Sequence, residues 1–114
     1  MEALILIFIA GLAEGVMDML QFHFYLNHKF WNPKLSWVNK WKGGRPEHGE
    51  RFFLSSTLLV AFTDGWHLMK LIRNVFIFAS MFFIPSCEPL CLILFIIAMR
   101  VVYGLGFTIT YKYL

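Results

Sequence analysis

Three long hydrophobic stretches run through this chain, and each carries ionisable residues near its middle. Glu14 and Asp18 interrupt the first, Asp64, His67 and Lys70 the second, and Arg100 the third. Apolar stretches of this length read as membrane spans. A charge at mid-membrane costs about 2.5–3.5 kcal/mol on insertion scales, so it turns toward the interior of a helix bundle or toward water. The pattern therefore points to an all-α integral membrane protein with three transmembrane helices, whose polar residues converge near mid-membrane.

Composition agrees with that class. Of 114 residues, 59% are hydrophobic and 15% charged, against roughly 45–50% and about 25% in soluble domains. The length holds one membrane domain, 1–114. The spans fall roughly at 3–26, 52–84 and 90–111, with a loop at 27–51. The first is long enough to cross about 30 Å of hydrocarbon. The second, as one helix, would be about 50 Å long, so it either tilts and protrudes or breaks near Asp64-Gly65. It is too short for two crossings and reads as one. The turn Pro85-Ser86-Cys87-Glu88-Pro89 separates it from the third span. The N-terminus lacks a basic leader, so the first stretch reads as a retained span rather than a removed signal peptide.

The net charge is +3, and six cations (Lys29, Lys34, Lys40, Lys42, Arg45 and Arg51) sit in the loop between the first two stretches, interleaved with Trp31, Trp37 and Trp41. Nucleic-acid binding is set aside here. Positive charge beside a span, with Trp rings at headgroup depth, is the pattern of a cytoplasmic, interfacial loop. That puts the N-terminus and the Pro-Cys turn outside and the C-terminus inside. Pro33, Gly43, Gly44 and Pro46 break regular structure in the loop, and His48 reads as a solvated surface histidine. Cys87 and Cys91 lack the spacing of a redox pair or zinc knuckle. They read as idle thiols, with a disulfide as the alternative if the turn faces an oxidising compartment.

The polar residues fall on helix faces. Gly11, Glu14, Asp18, Gln21, Tyr25 and His28 follow 3-4-3-4-3 spacing, which lines one face. His23 falls off it. Thr57, Asp64, His67 and Asn74 share a second face, with Lys70 at its edge and Arg73 further round. Arg100, Tyr103 and Phe107 align on the third, where Gly104 allows close helix approach. Glu14, Asp18 and Asp64 balance Lys70, Arg73 and Arg100, which suggests mutual pairing inside the bundle.

Three functional readings follow from an intramembrane polar site built of Glu14, Asp18, Gln21, Asp64, His67, Lys70 and Arg100. The pairs are structural locks that fix helix register within the protein or dock it into a larger membrane complex, and a bundle this small is expected to form a homo-oligomer or to join a partner. Alternatively, Glu14, Asp18, Asp64 and His67 relay protons or ions, with Lys70 and Arg100 setting their affinities for protons. The third reading is a metal-dependent membrane enzyme. There the Asp64/His67 pair and the Glu14/Asp18 pair, doubled in a homodimer, would hold Fe, Mn or Zn. Lipid-headgroup chemistry or recognition is a further possibility. No G-x-S-x-G elbow, P-loop or H-E-x-x-H motif is present.

Overall fold

The structure, a computed structural model, describes residues 1–22 and 29–113. It is all-helical, with no strand among the described residues and one isolated bridge between Trp41 and Glu50. The α-helices are α1 (Glu2–Phe22), α2 (Gly65–Ser80) and α3 (Pro89–Tyr113). Helices α1 and α3 are long and apolar enough to cross a membrane. The chain groups into two compact units, one made of Met1–Val16 with Ile72–Leu114, the other of Met17–Leu71.

The first unit is built on the close approach of α1 and α3. Along α1 the buried residues Ala3, Ile7, Ala10 and Ala13 recur every three or four positions, the spacing of one helix face. Glycines let the two backbones touch. A methyl on Gly11 would strike the carbonyl oxygen of Tyr103, and one on Gly106 the carbonyl oxygen of Phe8. One on Gly15 would lie 2.7 Å from the carbonyl oxygen of Phe107 and from Cβ of Thr110. The contacts advance together along both helices, so α1 and α3 run parallel. Elsewhere α3 is uncovered. Leu90, Ile93, Leu94, Ile97, Val101 and Leu105 are all more than half exposed, and only 6% of its apolar stretch is buried.

The second stretch is not one continuous helix. Residues 52–63 form turns and a short 3-10 segment, Val60–Phe62, and α2 begins only at Gly65. The reason lies in side chains that hydrogen-bond to backbone groups and so compete with the helix ladder. Ser55 Oγ donates to the Lys40 carbonyl at 2.6 Å, and Thr63 Oγ1 donates to the Val60 carbonyl at 2.6 Å. The Glu50 carboxylate accepts the Leu54 N–H at 3.0 Å and the Ser56 hydroxyl, and Leu54 is left-handed with φ 58°. Hydropathy registers none of these bonds, which is why the stretch reads as a single span.

Within the second unit, short 3-10 segments at Lys29–Trp31, Pro33–Leu35, Lys42–Gly44 and Pro46–His48 order the basic loop. Asn32 caps the second of them by accepting the Lys34 N–H at 3.0 Å. The Trp31 ring packs against the start of α2, where Gly65 has no room for a side chain. Cys87 and Cys91 are not idle thiols: they form a disulfide, with Cα atoms 5.9 Å apart. Cys87 sits just ahead of α3 and Cys91 in its first turn, a spacing within disulfide reach.

Candidate functional site

The polar residues form two sets, each within one unit. In the second unit the organiser is Asp64, 1% exposed. It occupies the N-cap of α2. Its Oδ1 accepts the His67 backbone N–H at 3.0 Å, the bond an N-cap carboxylate makes to the third helical residue. Its Oδ2 lies 2.6 Å from His67 Nδ1, and accepts the Ser36 hydroxyl at 3.0 Å and the Thr63 hydroxyl at 3.1 Å.

These bonds decide the charge of Asp64. Burial pushes its carboxyl upward. The hydrogen bonds from the His67 ring and backbone, attraction to the His67 ring, and the Ser36 hydroxyl together outweigh burial and hold it below the ordinary carboxylate range. A carboxylate depressed on folding contributes stability that is present above its unfolded value, near pH 4, and is lost as pH falls through its folded value. Asp64→Asn keeps a capping oxygen but has no charge to titrate. Thermal melts from pH 6 to pH 2 are therefore expected to lose less stability in Asp64→Asn than in the wild type. Identical acid profiles would contradict the assignment.

An ionised Asp64 also sets the histidine tautomer. The carboxylate can only accept, so Nδ1 of His67 carries the proton, and Nε2 is the nitrogen with a lone pair to offer. His67 is 22% exposed. It lines a cleft of about 330 Å³ with Gln21, Pro33, Ser36 and Trp66. Lys70 projects over the Trp66 ring, 5.2 Å from its centroid. Ser36 Oγ lies 3.1 Å from Nδ1, the same nitrogen that faces the carboxylate. A serine nucleophile needs the opposite nitrogen, so Ser36 steadies Asp64 and is not the nucleophile of a triad.

The second set is in the first unit. Arg73 Nη1 pairs with Glu14 Oε2, and both side chains are 23% exposed. The Tyr103 hydroxyl donates to the same oxygen at 3.3 Å, and Arg73 Nε donates to Asn74 Oδ1 at 3.1 Å. Glu14 and Tyr103 border a cleft of about 380 Å³ together with Arg100, Gly104, Phe107 and Thr108. Here every charge that touches Glu14 is answered, which is the arrangement of a lock.

The expected site residues are thus distributed. His67 and Gln21 line one cleft, with Asp64 buried behind the His67 ring and Lys70 on the neighbouring Trp66. Glu14 and Arg100 meet at the other. Asp18 is half-buried on α1. Tyr25 and His28 of the expected stripe, and His23, lie outside the described residues. Asp64 and His67 stand at the head of α2 rather than in the middle of a long helix. For the metal reading, no three His, Cys, Asp or Glu side chains gather among the described residues, and Glu14 is committed to Arg73. The metal reading draws its ligands from two copies of the chain. Ser36 and the pairing of Gly11 with Gly15 were not singled out in the sequence. Ser36 reaches Asp64 across 28 positions, with no local signal. Gly11 and Gly15 form a G-x-x-x-G pair that was legible.

Comparison with protein-family models, with curated proteins and with solved structures returned no match.

Proposed function

We propose that this is a small polytopic membrane protein whose working group is His67, an imidazole that takes up and returns a proton at the head of α2 in support of proton-coupled transport. The observation that carries this reading is the 2.6 Å contact between His67 Nδ1 and the buried Asp64 carboxylate. It locks the tautomer and leaves Nε2 as the proton acceptor for the cleft. Ser36 and Thr63 hold the carboxylate in place. The Glu14–Arg73–Tyr103 set has a different task, holding the helices of the first unit in register.

The parallel course of α1 and α3 supports a third crossing. If both span the membrane in one direction, the chain between them must return through it once. Residues 65–83, comprising α2 and the 3-10 segment Met81–Phe83, offer about 30 Å for that return. The Cys87–Cys91 disulfide supports an oxidising, external side for the turn before α3, with the N-terminus outside and the basic loop cytoplasmic. The bilayer is the first partner. Self-association or entry into a larger complex is expected, because three helices bury little surface alone.

Proteoliposomes loaded with a pH-sensitive dye test this reading. After an external acid pulse, wild-type vesicles are expected to acidify several-fold faster than vesicles carrying His67→Gln, with Asp64→Asn close to His67→Gln. Equal rates in all three would sink the proton-transfer reading.

A further inference from the structure

Arg100 stands 11 residues after Pro89 and 13 before Tyr113, the two ends of α3. At about 1.5 Å per residue, its Cα lies about 16 Å from one end of the helix and about 20 Å from the other. In a helix that crosses the bilayer this is mid-depth, too far from either head-group layer for the side chain to snorkel there. The side chain is exposed, and its Nη1 lies beside Gly104, 3.2 Å from where a Cβ would stand. Among the described residues Arg100 makes no ion pair. Glu14 borders the same cleft but is held by Arg73. Away from the helix ends, the charged side chains of the first unit are Glu14, Arg73 and Arg100. One acid against two bases leaves one positive charge unanswered.

The face that carries this charge is shaped for another helix. Ile93, Ile97, Arg100, Gly104 and Thr108 follow 4-3-4-4 spacing, which lines one side of α3. Ile93 and Ile97 are more than half exposed, and Thr108 is exposed. Small residues at 104 and 108 admit a close helix backbone, and the guanidinium beside Gly104 lies where that helix would pack. A cation in hydrocarbon is costly until an acid answers it. We propose that this face of α3 docks a transmembrane helix of another protein that carries an Asp or Glu near mid-span, with its carboxylate on Arg100. The guanidinium fork donates to both carboxylate oxygens at once. A second copy docked through the same face would bring its own Arg100 against this one, so like charges would meet. The inference rests on α3 crossing the membrane and is independent of the role of His67.

The test uses the full chain, donor-labelled, in phosphatidylcholine vesicles, titrated with acceptor-labelled polyleucine helices that carry Asp, Leu or Lys at the central position. Energy transfer is expected to show saturable binding of the Asp helix, roughly tenfold tighter than the Leu helix, the scale of one interhelical polar contact in model peptides. The Lys helix should bind no better than the Leu helix. Arg100→Leu should erase the Asp preference, and Arg100→Glu should transfer it to the Lys helix. Both change an exposed side chain, and the ranking of the three helices by the wild type decides if a variant does not fold. Equal binding of the Asp and Leu helices by the wild type, or an Asp preference that survives Arg100→Leu, would overturn the proposal. Transfer between donor- and acceptor-labelled copies of the chain that Arg100→Leu abolishes would make the face a self-interface and overturn it too. Amide I dichroism in oriented bilayers separates this proposal from the membrane reading. Helices along the bilayer normal without an Asp preference remove this proposal alone. Helices lying in the membrane plane remove the crossing of α3, and this proposal with it.

Discussion

Alanine at Gly11 is expected to part α1 from α3 and to remove most of the folded protein from mild detergent. The added methyl would collide with the carbonyl oxygen of Tyr103 and come within 3.1 Å of the Phe107 nitrogen. Both are backbone atoms of a helix, so no side chain can swing aside. Overpacking in a tight interior costs typically about 1–3 kcal/mol, and a backbone obstacle belongs at the upper end. Gly15→Ala should behave alike, since its methyl meets the Phe107 carbonyl oxygen and Thr110. Gly104→Ala is the control. Its nearest neighbour is the mobile end of Arg100 at 3.2 Å, and the change should be close to neutral. Size-exclusion profiles and thermal midpoints of the three variants check this ordering. A Gly11→Ala protein as stable as Gly104→Ala would mean that the two helices do not meet as described.

Arg73→Ala is expected to be nearly as damaging, for an electrostatic reason. Among the described residues it leaves the Glu14 carboxylate with the Tyr103 hydroxyl as its hydrogen-bond donor. Removing one member of a buried pair costs about 3–5 kcal/mol. With 23% of each side chain exposed, the lower end of that range applies. Removing both charges should cost less than removing one. Glu14→Gln combined with Arg73→Ala should recover part of the loss, because the cost of a single change is mainly the stranded partner. Denaturation of the two single variants and the double variant gives the coupling. Strict additivity would show that Glu14 and Arg73 do not interact, and would return Glu14 to the candidate proton carriers.

Much of the fold was legible because the signals were local. The apolar runs behind α1 and α3 follow from length and hydropathy alone. Asp64-Gly65 could be flagged as a break because Asp is a strong N-cap and Gly a poor helix residue. The non-helical course of 52–63 was hidden. Its hydropathy is that of a span, and hydropathy registers neither the local bonds of Thr63 to the Val60 carbonyl and of Glu50 to the Leu54 N–H nor the bond of Ser55 to the distant Lys40 carbonyl. The candidate site divides the same way. The Asp64/His67 pair was visible as neighbours one helical turn apart, whereas Ser36 reaches Asp64 from a distant loop segment. Arg73 was counted among the charges, but a charge balance cannot say which acid meets which base, and Glu14 took Arg73.

The most direct measurement is the tautomer of His67. Nitrogen-15 spectra of histidine-labelled protein at a pH where the ring is neutral, with His67→Gln used to assign the signal, report which ring nitrogen carries the proton. A His67 ring protonated at Nδ1 and bare at Nε2 is the expected result, reverting toward the ordinary mixture in Asp64→Asn. A His67 ring protonated at Nε2 in the wild type would mean that Asp64 does not orient it, and the proton-transfer role assigned to this residue would fall.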